Sequence, residues 1–186
     1  MARRSVWSRM PCLRWEATPL RDEERVARFE QAVLPHLDAA YNLARWLTRD
    51  GHDAEDVVQE AYLRALQFFD SFHGTDGRAW LLRIVRNTCY TWLERTRGRK
   101  ATAFDEEVHG AAPEAFSPET PLLRQEDQQR VRQALEELPV EFREVLVLRE
   151  LEGLSYKQIA NVADLPVGTV MSRLARGRER LQQLLS

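Results

Sequence analysis

Apolar residues recur at intervals of three or four along almost the whole of this 186-residue chain, and nowhere do they alternate at intervals of two. A period near 3.6 gathers side chains on one side of a helix, whereas a half-buried strand needs a period of two. The chain is therefore expected to be all-α. One stretch breaks the pattern. Residues 101–122 hold Gly110, Pro113, Pro118 and Pro121 among acidic side chains and carry no helical period. Proline fixes φ and removes a backbone donor, so this stretch reads as a flexible acidic linker. It divides the chain into two small helical domains, 25–100 and 123–186. With 44% hydrophobic residues, the composition supports a core in each.

In the first domain, Phe29, Val33, Leu37, Tyr41, Ala44 and Leu47 define one stripe, and Ala54, Val57, Val58, Ala61, Ala65, Leu66 and Phe69 a second. The second leaves Asp56, Gln59, Glu60 and Arg64 outside. Asp53 suits its N-cap, where acids complement the helix dipole. A third stripe, Trp80, Leu81, Ile84, Val85, Thr88, Cys89 and Trp92, turns Arg83, Arg86, Asn87, Tyr90 and Thr91 the other way. Between the second and third lies a polar loop with two glycines and one aromatic, Phe72. Arg95, Arg97, Arg99 and Lys100 end the third helix as a basic cluster. Phe72, Trp80, Asn87 and Tyr90 beside that cluster could stack unpaired bases while arginines follow the backbone. The plainer alternative leaves Trp80 in the core and Phe72 as a loop anchor. Likewise, the acids of the second helix form either a docking face or a solvated one.

The second domain begins with a helix through Val131, Leu135 and Leu138. Pro139 suits the first turn of the next, which buries Phe142, Val145, Leu146 and Leu148 and ends at Glu152-Gly153. Ser155 and Gln158 form a capping box that opens a short helix. The segment Asp164-Leu165-Pro166-Val167 breaks it, and a last helix runs to Leu184. A short helix, a turn and a basic helix is the geometry that enters a DNA major groove. Val170, Leu174 and Leu181 point inward, whereas Thr169, Met171, Ser172, Arg173 and Arg176 take the leading turns and the groove-facing side. Arg149, Lys157, Arg178 and Arg180 suit phosphate anchoring, which adds affinity rather than specificity.

A net charge of −2 looks wrong for a nucleic-acid binder until its distribution is considered. Residues 155–186 hold five basic residues against two acidic, a net +3, whereas residues 101–127 hold seven acidic against one basic, a net −6. A partner feels local charge within about 10 Å of screening length. Catalysis finds no support. His36, His52, His73 and His109 are scattered, and no nucleophile, metal-ligand spacing or phosphate-binding glycine loop is present, so neither a cofactor nor a metal is expected. Cys12 and Cys89 are far apart, and Cys89 reads as a buried free thiol. No apolar run approaches the ~20 residues that span a bilayer, which suggests a cytoplasmic protein. Residues 1–24, with four arginines and two tryptophans, read as a poorly ordered extension, with a nucleic-acid or partner contact as the sharper alternative.

Four blocks in order then become recognisable. They are Asp53-Ala-Glu-Asp-Val-Val-Gln-Glu-Ala-Tyr62, Trp80-Leu-Leu-Arg-Ile-Val-Arg-Asn-Thr88, Leu138-Pro139 with Leu148-Arg-Glu-Leu-Glu-Gly-Leu-Ser-Tyr156, and Pro166-Val-Gly-Thr-Val-Met-Ser-Arg173. From about Phe29 to Leu185 the chain resembles an extracytoplasmic-function sigma factor of the sigma-70 family. The resemblance implies that the first domain binds RNA polymerase core, at the β′ clamp helices, through Asp53, Glu55, Asp56, Gln59 and Glu60. It implies that Phe72, Trp80, Arg83, Asn87, Tyr90 and Arg95 recognise and melt the promoter −10 element, with the loop at Phe72 capturing an extruded base. It further implies that Arg149, Lys157, Thr169, Met171, Ser172, Arg173, Arg176 and Arg178 read the −35 element as duplex. Met171 stands where some members carry arginine. The linker is expected in the polymerase's active-centre cleft or RNA exit path, near the β subunit. An anti-sigma factor, often membrane-anchored in this family, is the implied regulator.

The rival reading is a ligand-responsive helix-turn-helix regulator that binds a palindromic operator as a dimer without polymerase. Against it, no dimerisation heptad follows the last helix, and the first domain resembles a polymerase-binding module.

Overall fold

The structure, a computed structural model, describes residues 19–74, 76–102 and 122–186. The acidic linker over 103–121 and the extension up to residue 18 fall outside the described residues. Eight α-helices follow in order: α1 (Pro19–Val33), α2 (Leu37–Thr48), α3 (Gly51–Phe68), α4 (Gly77–Thr102), α5 (Leu122–Glu137), α6 (Val140–Leu146), α7 (Tyr156–Ala163) and α8 (Val167–Leu185). Among the described residues there is no strand, as the periodicity requires.

In the first module α2, α3 and α4 pack together and α1 lies against α4. Val33, Leu43, Leu47, Ala54, Val57, Ala61, Leu81, Val85 and Cys89 are almost wholly buried. The first stripe is not one helix, as the sequence suggested. Pro35 lacks a donor and disfavours helical backbone before it, so a 3₁₀ turn over Leu34–His36 separates α1 from α2. The break turns Leu37 outward and gives the buried positions to Ala40, Leu43 and Ala44. A second correction concerns the start of α3. Asp50, not Asp53, is the N-cap, and its Oδ1 accepts the Asp53 N–H at 3.1 Å. The chain reaches that cap through Arg49 in left-handed backbone at φ 67°.

Glycine is required at Gly77. A Cβ there would lie 2.2 Å from the Ala32 carbonyl oxygen, so α1 and α4 approach this closely only because the side chain is hydrogen. Asp76 caps α4 by accepting the Ala79 N–H at 2.9 Å.

In the second module α6 and α7 pack against α8, around Leu138, Leu148, Ile159, Val162, Val170 and Leu174. Val131 is exposed rather than part of this core. Pro139 sits at the N-cap of α6, one position before its first turn. A π-helical turn over Val147–Leu151 extends α6, and Gly153 at φ 66° reverses the chain into α7. The capping box forms as read: the Gln158 N–H donates to Ser155 Oγ and the Ser155 N–H to Gln158 Oε1. Asp164 at φ 55° then makes the turn into α8, a backbone that aspartate tolerates better than most residues.

The modules also touch each other, with α4 against α7 and α2 against α6. Burial along α4 is accordingly wider than one stripe, and Leu82 joins Leu81 among its wholly buried residues.

Candidate nucleic-acid and partner interfaces

Phe69, buried beneath the loop after α3, supports an aromatic cluster. The Phe72 and Trp80 rings lie 5.0 Å apart at 37°, and their centroids are 5.9 and 6.2 Å from Phe69. Both rings are half-buried, so each has one face in the fold and one towards the surface. Two cavities flank Phe72. One of about 530 Å³ is lined by Arg28, Gln31, Phe69, Phe72 and His73. The other, of about 360 Å³, is lined by Phe72, Asp76, Trp80, Arg83 and Asn161. Both volumes suit a small flat ligand group. Sequence reading missed Arg28 and Gln31, because only the packing of α1 beside α4 brings them to Phe72. The Arg28 guanidinium lies 5.9 Å from the Phe69 ring centre.

Further along α4, Arg83, Arg86 and Tyr90 share one face, the one read as pointing away from the core. They are not bare. Arg83 donates to Asn161 at 3.2 Å and Asp164 at 3.3 Å, both from the second module. Arg86 Nε donates to Glu144 at 2.5 Å, and its Nη1 donates to Asn87 Oδ1 at 3.3 Å. The Tyr90 hydroxyl donates to the other oxygen of Glu144 at 2.8 Å, with the Arg86 guanidinium 4.1 Å from its ring centre. Burial, and then the charge of Glu144, pushes the Tyr90 hydroxyl above its ordinary range. Arg95 lies a turn beyond and is exposed.

On α3, Glu55, Asp56 and Gln59 are exposed, Asp53 is half-buried in the first turn, and Glu60 pairs with Arg64 one turn on. Leu63 shares this face and is 69% exposed. Its place three residues after Glu60 was legible as an apolar residue on the polar side. An acidic ridge with one bare leucine offers charge complementarity together with a small apolar anchor.

On α8, Val170, Leu174 and Gly177 are buried, and a Cβ at Gly177 would meet Leu146 at 3.1 Å. Met171, Ser172 and Arg176 are exposed on the opposite side, while Thr169 and Arg173 are half-exposed. Ser172 Oγ donates to the Thr169 carbonyl at 3.0 Å. Lys157 is exposed on α7. The arginines read as phosphate anchors are partly engaged within the module. Arg149 donates to the Leu154 carbonyl at 2.9 Å over the Tyr156 ring. Arg178 pairs with Glu150 at 2.7 Å, and Arg180 lies over Phe142. These contacts are short-range tethers that aim the cations along one edge of the helix.

Among the described residues no cluster of histidine, cysteine and carboxylate groups could hold a metal ion, and no helix is long and apolar enough to cross a membrane.

Known proteins share this arrangement. The sigma-70 region 2 family matches residues 32–99, and the sigma-70 region 4 family matches residues 128–181. RNA polymerase sigma-H factor of Pseudomonas aeruginosa is 38% identical over 176 residues, 87% of this chain and 91% of that protein. ECF RNA polymerase sigma-E factor of Escherichia coli K12 is 41% identical over 171 residues, 85% of this chain and 89% of that protein. Among solved structures, sigma factor RpoE from Bartonella quintana, crystallised with the anti-sigma factor NepR, has a TM-score of 0.69 and 34% identity over 85% of this chain and 96% of that one. CnrH, solved with the cytosolic domain of CnrY, has a TM-score of 0.59 and 29% identity over 84% of this chain and 86% of that one. Two helical modules, one with an aromatic cluster beside a basic helix and one with an exposed helix-turn-helix edge, thus accompany both family matches in the same order, and the chain belongs to the extracytoplasmic-function sigma factors of the sigma-70 family.

Proposed function

We propose that the first module, residues 25–100, docks on RNA polymerase core and opens the −10 element, while the second, residues 123–186, reads the −35 element as duplex. In this reading the α3 ridge of Asp53, Glu55, Asp56, Gln59 and Glu60, with Leu63 as apolar anchor, meets the β′ clamp helices. Phe72 and Trp80 stack on extruded bases. Arg83, Asn87, Tyr90 and Arg95 hold the displaced strand, with arginine on phosphate and amide and hydroxyl on base edges. On α8, Met171, Ser172 and Arg176 face the major groove beside Thr169 and Arg173, and Arg149, Lys157 and Arg178 hold the flanking phosphates. Each module alone has few contacts. Core polymerase fixes their spacing and raises the effective concentration of each at its own element. The protein acts in the cytoplasm as a specificity subunit with no catalytic step of its own, and an anti-sigma factor is its expected antagonist, as in the two solved complexes.

The observation that carries this reading is the order of surfaces in one chain: an acidic ridge with an exposed leucine, an aromatic cluster beside an arginine-bearing helix, and an exposed helix-turn-helix edge. Run-off transcription on fragmented genomic DNA tests it. Core polymerase plus this protein yields discrete new start sites that either component alone does not. Promoter binding that never depends on core polymerase refutes it and favours the operator-binding regulator.

A further inference from the structure

We propose that the free chain holds itself closed, with Glu144 and Glu152 of the second module occupying the groups on α4 and α2 that must be vacated before opened DNA can bind. This inference rests on the promoter reading of α4 given above. Glu144 is wholly buried, and its two oxygens take the Arg86 Nε–H and the Tyr90 O–H. Glu152, whose side chain is 4% exposed, takes Arg78 at 2.5 Å and the Asn42 amide at 3.1 Å. Gln158 donates to Asp76 at 2.8 Å, which closes the same face at the mouth of the cavity beside Trp80. Arg83 is held by Asn161 and Asp164.

A carboxylate that receives an arginine N–H and a phenolic O–H offers the same anionic oxygens as a phosphate. The two occupants exclude each other, because each fills the same donors. Along this face the glutamates therefore act as an internal stand-in for nucleic acid.

Closure is poised rather than permanent. The ion pairs are buried, so losing one partner strands a charge. Against that, Arg143 is buried next to Glu144 with its Nε unpaired and accepts help only from the Glu136 and Leu138 carbonyls. Burial, and then the like charge of Arg49 on α2, pulls the Arg143 guanidinium down to about 10, so this part of the interface resists closure. The −35 and −10 elements lie about 25 base pairs apart, roughly 85 Å along B-DNA at 34 Å per turn. Modules joined by direct side-chain hydrogen bonds cannot reach both. Opening is thus part of assembly with polymerase, and any partner that grips both modules would hold the closed form.

The test uses the full chain with Cys12→Ser, labelled for energy transfer at Gln67→Cys on α3 and Gln183→Cys on α8, both exposed. The parent is expected to show one high-transfer population. Glu144→Gln with Glu152→Gln moves it to low transfer and tightens binding of a fluorescent 12-nucleotide single strand about tenfold, because affinity scales with the open fraction. Glu144→Arg opens the chain too, and adding Arg86→Glu restores high transfer. Unchanged transfer and unchanged single-strand affinity in the folded glutamine variant overturn the proposal, as does a charge swap that fails to re-close the chain. Run-off transcription by each variant with core polymerase is measured alongside. Its loss in the parent would sink the sigma reading itself while the transfer data still report on closure.

Discussion

Gly77→Ala sets two physical effects against each other, and the structure decides the sign. Gly77 opens α4 in ordinary helical backbone, where alanine is favoured over glycine by about 0.5–1 kcal/mol in a helix interior. Only Gly153 among the described glycines has positive φ, so no left-handed geometry protects Gly77. The opposing effect is steric. The new Cβ would stand 2.2 Å from the Ala32 oxygen and 3.2 Å from its carbonyl carbon, and both are backbone atoms that cannot rotate away. Relief requires α1 to move off α4 by about 1 Å, and overpacking of this kind costs typically 1–3 kcal/mol or more. The net loss is about 2 kcal/mol, a fall in Tm of roughly 4–8 °C for a chain of this size. Circular dichroism melting of parent and variant measures it directly. The same shift moves Arg28 and Gln31 away from Phe72, so single-strand binding should weaken while duplex −35 binding holds. An unchanged or higher Tm would refute the reasoning, because helix propensity would then outweigh the helix–helix contact.

Three other outcomes are expected. Asp50→Ala should lower stability by about 1 kcal/mol through loss of the α3 cap, whereas Asp53→Ala should cost less; urea titrations of both separate the cap from the first-turn residue. Burial, and then Glu144's charge, pushes the Cys89 thiol up to about 12, so in a Cys12→Ser background it should resist iodoacetamide at pH 8 until urea unfolds the chain. Arg176→Ala should leave melting unchanged, weaken holoenzyme binding to its −35 element, and lower the salt slope by about one if the contact is to phosphate.

Much of this protein is local in origin and so was legible in order. The α3, α4 and α8 stripes, the Ser155–Gln158 capping box and the Asp164 turn each depend on residues within one or two turns, where spacing and side-chain chemistry act directly. Two local readings still failed. Pro35 split the first stripe although a proline was visible there, and Asp50 outcompeted Asp53 for the cap because Arg49 adopts a left-handed turn that no stripe records. The exposed edge of α8 and the acidic ridge of α3 were also readable, since a polar side opposite a buried stripe faces outward unless something covers it.

What covers it is what the sequence could not supply. Arg86 and Tyr90 looked like a free basic face, and they are taken by Glu144, 58 and 54 residues away. Arg28 and Gln31 carried no signal of their own and reach Phe72 only because Gly77 lets α1 settle on α4. Periodicity reports which side of a helix avoids water, but not which partner meets the side that does not. The sequence by itself determined the helices, their order, the family and the recognition edge, because each rests on short-range chemistry. Only the tertiary structure decided that the two modules close on each other through buried carboxylates, because ion pairing across modules depends on where distant helices come to rest.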